Sequence, residues 1–75
     1  MGKLRVLSGA EVCRILEGYG FALVRQRGSH AVMQARSGDS TITVPVPLHD
    51  ELRRGTLLSI IRQSGAPRGA FESGS

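Results

Sequence analysis

The sequence predicts an α+β domain in which two helices cover one face of a three-stranded antiparallel sheet, in the chain order αβββα. Two segments with apolar residues at helical spacing lie towards the ends of the chain, and three short alternating segments lie between them. Glycine and serine separate the alternating segments, as expected for tight turns. Such a two-layer domain buries one face of the sheet and leaves the other face to solvent or to a ligand.

Both predicted helices have signals for their ends. Ser8 and Glu11 have the spacing of a capping box, in which each side chain bonds the backbone amide of the other residue. The first helix is predicted over Ser8–Tyr19, with Tyr19 on its apolar face and with one of the glycines at its end in the left-handed conformation. The second helix is predicted over Arg54–Ser64, with the glycine that follows as its stop.

The three strands are predicted over Phe21–Arg27, His30–Arg36 and Thr41–Val46. Pro45 indicates that the third is an edge strand, or ends there, because proline donates no ladder hydrogen bond. In the second strand neither set of alternate residues is clearly polar, so the pattern leaves open which face the helices cover. Apolar residues of both helices and of the third strand are predicted to form the core: Val12, Ile15, Leu16, Ile42, Val44, Leu57, Ile60 and Ile61.

The length of the chain limits what it can contain. A sequence of 75 residues is expected to form one small domain over residues 1–75, with a thin core. Pro67 is expected to open a last helical turn that returns Phe71 to that core. Any active site must be shallow and lie on an open face, because so short a chain has no loops to wall a deep cleft.

The composition favours an anionic partner. Ten Lys and Arg against six Asp and Glu give a net charge of +4, and nine of the ten are arginine. The planar guanidinium matches phosphate better than a lysine ammonium does. The charge therefore points to nucleic acid or to an acidic protein.

Cysteine usage and hydropathy exclude several other classes. Cys13 is the only cysteine, which rules out an internal disulfide or a thiolate metal cluster, and we expect it to be a small packed hydrophobe. The sequence has no signal-peptide pattern and no apolar run of about 18 residues. We therefore expect a cytoplasmic protein with no membrane partner.

Candidate chemistry is concentrated in the first predicted hairpin. Gly28 and Ser29 suit a tight turn. Arg25 and Arg27 lie on the same side of the first strand, because side chains alternate along a strand. His30 opens the second strand, so one titratable ring lies beside a glycine turn and two cations.

Two interpretations of His30 are open. A histidine at the end of a strand is often hydrogen-bonded and structural. Alternatively, His30 is a general base or acid, since histidine ordinarily exchanges its proton near neutral pH. In that case Gly28 lets a ligand approach the backbone, and Arg25 and Arg27 hold an anionic substrate.

A second basic pair, Arg53 and Arg54, lies at the start of the second helix, the end that already carries partial positive charge. Either Asp50 and Glu51, just upstream, neutralise these arginines, or the helix amides and both guanidiniums form a phosphate site. His49 is expected to be a solvated loop residue. No spacing of histidine, cysteine and acidic residues indicates a metal site, so we expect no metal and no cofactor.

Several stretches of the chain, taken together, resemble the HicA toxin family. They are Leu7–Val12, Gly20–Phe21, Arg25–His30, Val46–His49, Glu51–Leu57 and Ile60–Gly65. The stretches follow in order over nearly the whole chain, and Gly-Ser-His followed at this distance by a Gly-Thr-Leu helix is fairly specific. The sequence departs from the family pattern at Ala66–Ala70, where members commonly carry serine or threonine and then acidic residues.

The resemblance implies a double-stranded-RNA-binding-domain-like fold and a toxin of a type II toxin–antitoxin system that cleaves mRNA. It implies that activity depends on His30 and that a HicB-like antitoxin is the protein partner. We expect metal-independent cleavage and six residues that bind RNA: Arg25, Arg27, Gly28, Ser29, Arg53 and Arg54. The alternatives are a non-catalytic RNA-binding module and a basic protein-interaction adaptor of the same fold.

Overall fold

The structure, a computed structural model, describes residues 2–73. Its elements are α1 (Gly9–Glu17), β1 (Ala22–Arg27), β2 (His30–Ser37), β3 (Ser40–Pro47), α2 (Arg54–Ser64) and a 3-10 turn over Arg68–Phe71. The strands form an antiparallel sheet in the order β1-β2-β3, and both helices pack on the same face of it. The predicted αβββα, double-stranded-RNA-binding-domain-like fold is confirmed. Within the described residues, neither helix has the length and apolarity that a membrane crossing requires.

The capping box at the start of α1 is confirmed. The Glu11 amide donates to the Ser8 hydroxyl over 3.1 Å, and the Ser8 amide donates to a Glu11 carboxylate oxygen over 2.9 Å. The bond from the Ser8 amide favours the charged carboxylate and so lowers the pKa of Glu11. The helix ends at Glu17, earlier than predicted, because the chain turns away and passes through Gly20 at a φ of +90°. Tyr19 therefore leaves the apolar face, and its predicted packing is wrong: the side chain is 49% exposed.

α2 has the predicted bounds and the predicted stop. Gly65 follows it with a φ of +71°, the left-handed conformation that closes many helices. The buried Ser64 hydroxyl donates to the Ile61 carbonyl and accepts from the Ala66 amide, each over 3.1 Å, so its polar group is satisfied. The 3-10 turn then returns Phe71 to the core, where it is fully buried as predicted.

The core lies between the sheet and the helices. The predicted core residues that are buried there are Val12, Leu16, Val44, Leu57 and Ile60. Ile15, Ile42 and Ile61 are only half-buried at its margin, because a domain of two layers has nothing to cover them from outside. The core also includes large apolar residues from the connecting segments and from β2 and β3: Leu7, Phe21, Met33, Val46, Leu52 and Phe71.

The alternate residues of β2 show which face the helices cover. Ala31 and Met33 are 2% and 0% exposed beneath them, so His30 and Val32 belong to the open face. β2 pairs with β3 without interruption, and β3 is an edge strand, as its proline predicted. The pairing of β1 with β2 shifts beside Val24, which is therefore a bulge residue.

Gly9 holds the start of α1 against the end of β3. Its amide donates to the His49 carbonyl over 2.9 Å, and a Cβ atom at this position would overlap the Pro47 carbonyl. The Leu52 amide donates to the Leu7 carbonyl over 2.8 Å. The segment between β3 and α2 is thus fixed on the residues that lead into α1.

Candidate functional site

The first hairpin ends in a tight turn at the tip of the sheet. Gly28 and Ser29 form the two-residue connection, and Gly28 has a φ of +56° whereas Ser29 has no positive φ. Glycine first, with positive φ, is the pattern of a type II′ turn, whose twist matches that of the two strands. The turn brings Arg27 and His30 opposite each other.

Arg25, Arg27 and His30 share the open face of the sheet. Opposed residues of an antiparallel ladder point to the same side, and Arg25 lies opposite Val32 just as Arg27 lies opposite His30. The Cα atoms of an opposed, hydrogen-bonded pair are about 5.5 Å apart. The Arg27 guanidinium can therefore reach an anion that is bound at the His30 imidazole.

The His30 side chain is exposed, and within residues 2–73 its ring takes part in no hydrogen bond or ion pair. This arrangement does not fit a structural histidine whose ring is held by the protein. An imidazole without protein partners has both nitrogens available to accept a proton from a substrate or to donate one. The ring can therefore act on a molecule that lies across the open face.

Hydrogen bonds brace the turn from two sides. The Leu48 amide donates to the Ser29 carbonyl over 2.6 Å, which continues the pairing of β2 and β3 one step beyond the strands. The Gln26 Nε2 donates to the Gly28 carbonyl over 3.4 Å. Because Gly9 holds the segment after Leu48, the turn beside His30 is connected through that segment to α1.

Arg53 and Arg54 form a second basic group, in the helix layer and not on the open face. Together with Arg5 of the N-terminal segment they line an open groove of about 240 Å³. Glu51 lines the same groove, yet the ion pair that forms among residues 2–73 is elsewhere, between Arg68 and Glu72. Direct ion pairing with the two acids upstream, one of the two alternatives, is not observed. His30 does not line the groove that these arginines share.

The other candidate residues are less suited to catalysis or to metal binding. His49 is exposed, and it is its carbonyl that is engaged, by the Gly9 amide. Burial raises the pKa of the Cys13 thiol, and the charge of Glu17 raises it further, so the thiol stays protonated at neutral pH. In the part of the chain that the structure describes, no three histidine, cysteine or acidic side chains are grouped as metal ligands.

Sequence reasoning missed one arginine of the open face. Arg36 pairs with Thr41 and points to the same side of β2 as His30. The signal that identifies it is parity, since residues an even number of positions apart in a strand share a face. At about 3.4 Å per residue, Arg36 lies about 20 Å from His30 along the strand. The open face thus has arginine near both of its ends.

A family model matches the part of the chain that forms this fold. The model describes the HicA toxin of bacterial toxin–antitoxin systems, and it matches residues 9–66 of the 75-residue chain. The chain belongs to the HicA toxin family. The match covers both helices and the whole sheet, including the hairpin of His30. Membership makes the protein a toxin of a toxin–antitoxin system with an antitoxin as its partner. No curated protein matches the chain.

Proposed function

We propose that this toxin is a metal-independent endoribonuclease that cleaves mRNA by acid–base catalysis at His30. The observation that carries the proposal is the position of His30, exposed and directly opposite Arg27 on the open face. An open face suits a long, flexible polymer, which a small enzyme can bind without a cleft. The exposed arginines of the same face suit its phosphates.

RNA supplies its own nucleophile, the 2′-hydroxyl beside each phosphodiester. As base, His30 takes the proton of that hydroxyl while the 2′-oxygen forms a bond to phosphorus. The bond from phosphorus to the 5′-oxygen breaks and that oxygen takes a proton from water, which leaves a 2′,3′-cyclic phosphate and a 5′-hydroxyl end. As acid, a protonated His30 instead delivers its proton to the leaving 5′-oxygen, while water takes the proton of the 2′-hydroxyl. A rate that falls as His30 becomes protonated identifies the base, and a rate that rises identifies the acid.

Arg25 and Arg27 are assigned to the phosphate that reacts. The five-coordinate transition state carries more charge on its oxygens than the substrate does, and a fixed guanidinium beside it lowers the barrier. Gly28 and Ser29 present backbone at the tip of the hairpin, where the RNA can approach closely.

Arg53 and Arg54 are assigned to flanking phosphates. They lie in the helix layer, whereas His30 lies on the open face, and together with Arg5 they line a groove that suits the RNA backbone. Contacts of this kind add affinity that weakens with salt, because each one releases counterions. The proposal therefore assigns binding and chemistry to different arginines.

The antitoxin is proposed to be HicB-like and to bind over the turn at Gly28 and Ser29. A shallow site on one hairpin is blocked when that hairpin is covered. Acidic or aromatic residues of the antitoxin should meet Arg25 and Arg27, so the association should weaken as salt rises. A complex in which His30 remains accessible and cleavage continues would contradict direct occlusion.

Incubation of the purified protein with end-labelled mRNA tests the function, with EDTA present in a parallel reaction. Cleavage that leaves 2′,3′-cyclic phosphate ends and survives EDTA supports the proposal. Retention of RNA without cleavage identifies a binding module, since double-stranded-RNA-binding folds commonly bind by shape and phosphate alone. If the RNA is neither cleaved nor retained, the protein is identified as a protein-interaction adaptor.

A further inference from the structure

The two edges of the sheet differ in the hydrogen bonds that they offer to an incoming strand. The two residues on either side of a two-residue turn form backbone hydrogen bonds with each other. Every second residue along the strand therefore directs its N–H and C=O groups away from the partner strand, and on an edge strand these groups face outward. On β3 the outward positions include Pro45 and Pro47, which have no N–H group. The half of β3 beside the first hairpin therefore offers no backbone N–H donor to an incoming strand.

β1 has no such protection. By the same alternation, the backbone of Arg27 is hydrogen-bonded to that of His30, and the N–H and C=O groups of Gln26 point away from β2. In residues 2–73 no backbone group outside the ladder bonds Gln26. All six residues of β1 are exposed, including Leu23 at 53% and Val24 at 51%. This strand has an open edge and apolar side chains beside it.

The surroundings of β1 differ on its two faces. On the helix side lies a groove of about 170 Å³, lined mostly by apolar residues, among them Cys13 of α1, Leu23 of β1 and Leu48, and also by Glu17 and Gln26. On the open face lie Arg25 and Arg27, neither of which has an ion-pair partner among the described residues. One face of an added strand would meet this mostly apolar groove, and its other face would meet two cations.

We propose that β1 is a docking edge for an extended segment of a partner protein in which apolar and acidic residues alternate. The apolar side chains enter the groove, the acidic ones pair with Arg25 and Arg27, and the backbone bonds Gln26. A second copy of this chain is a poor occupant, because each copy has a net charge of +4. Two β1 strands paired about Gln26 would also place Arg25 against Arg27.

Docking at this edge has a consequence for the site. Neighbouring strands lie about 4.8 Å apart, so an added strand lies about 10 Å from β2. It therefore neutralises Arg25 and Arg27 without covering the ring of His30, and reduces RNA binding by removing positive charge. This consequence rests on the proposed function, whereas the docking itself does not.

The test is a titration of the full-length, 15N-labelled protein with a short blocked peptide of alternating valine and glutamate, followed by NMR. The peptide should shift the amide signals of β1 and slow hydrogen exchange at Gln26. Gln26→Pro removes the outward N–H and leaves the ladder to β2 intact, and should weaken binding by about tenfold or more. Thr43→Pro makes the same change on the outward side of β3 and should leave the affinity as in the parent.

A second variant covers the case in which Gln26→Pro fails to fold. Leu23→Glu places a like charge beside the groove and should likewise weaken binding of the acidic peptide by about tenfold or more. Shifts confined to β3 or to the arginine side chains, or parental affinity in both β1 variants, would overturn the proposal. Peptide binding at β1 by a protein that cuts no RNA would support the docking edge and contradict the nuclease. RNA cleavage without peptide binding at β1 would support the nuclease and contradict the docking edge.

Discussion

The covered and open faces of the sheet differ in what limits their residues. On the covered face Met33 and Val44 are fully buried against the helices, so side-chain volume and apolarity are required there. On the open face His30 and Arg25 are exposed and lie outside the core, so a change there need not alter stability. Residues of the covered face thus stabilise the fold, whereas the open face carries the residues proposed for catalysis. Substitutions that affect one property and not the other test this separation.

The largest effect is expected at His30. His30→Ala should keep the fold and still bind RNA, yet lose cleavage by roughly 10²–10⁴-fold, the usual contribution of general acid–base catalysis. The measurement is cleavage of labelled mRNA by a variant whose circular dichroism and RNA affinity match those of the parent. Gln34→Ala is the matched control, because Gln34 lies on the same face of β2 and has no proposed role. Undiminished cutting by His30→Ala would show that His30 is not the catalytic residue.

The covered side should show the opposite behaviour. Ile60 is 3% exposed in the core, so Ile60→Ala should lower the free energy of unfolding by roughly 2–5 kcal/mol through lost burial and a cavity. Ile61→Ala is the comparison within the same helix, and its cost should be smaller because Ile61 is half-buried. Chemical denaturation of both variants measures the difference. An equal cost at the two positions would contradict the packing described for α2.

The arginines should separate binding from chemistry. Arg25→Ala and Arg27→Ala should weaken RNA binding and also lower the rate at which bound RNA is cleaved. Arg53→Ala should weaken RNA binding but leave the cleavage rate of bound RNA nearly unchanged. Each change should reduce the slope of log affinity against log salt by about 0.7, the value for one phosphate contact on a single strand. Arg62→Ala is the charge-matched control, since Arg62 is exposed in the last turn of α2. Equal effects for Arg53 and Arg62 would remove Arg53 from the RNA site.

The smallest effect is expected at the cap of α1. Ser8→Ala should cost about 1 kcal/mol of stability, the usual value for an N-cap. The pKa of Glu11 is lowered in the folded state, so its stabilisation is present above its unfolded pKa and is lost as pH falls through the folded one. Denaturation midpoints should therefore fall more steeply with acid in the parent than in Glu11→Gln. Parallel curves would show that the carboxylate bond to the Ser8 amide contributes nothing.

Local chemistry accounts for most of what could be predicted. The capping box, the glycine that ends α2 and the glycine that begins the first turn each act on a few neighbouring residues, so their effects can be read from the sequence. The alternation of β3 is equally local. Parity alone put Arg25 and Arg27 on one side of β1, and the register confirms it despite the bulge, which lies before both residues.

The sequence by itself determined the element order, the ends of α2, the turn beside His30 and the residue types of the candidate site. Tertiary structure alone decided which face of β2 is covered, because Met33 and Val32 are both apolar and only contact with the helices distinguishes them. It also decided that Arg53 and Arg54 join Arg5 in the helix layer, and that β1 stays exposed along its length. These outcomes depend on contacts between segments that are distant in sequence, and no local pattern of residues encodes them.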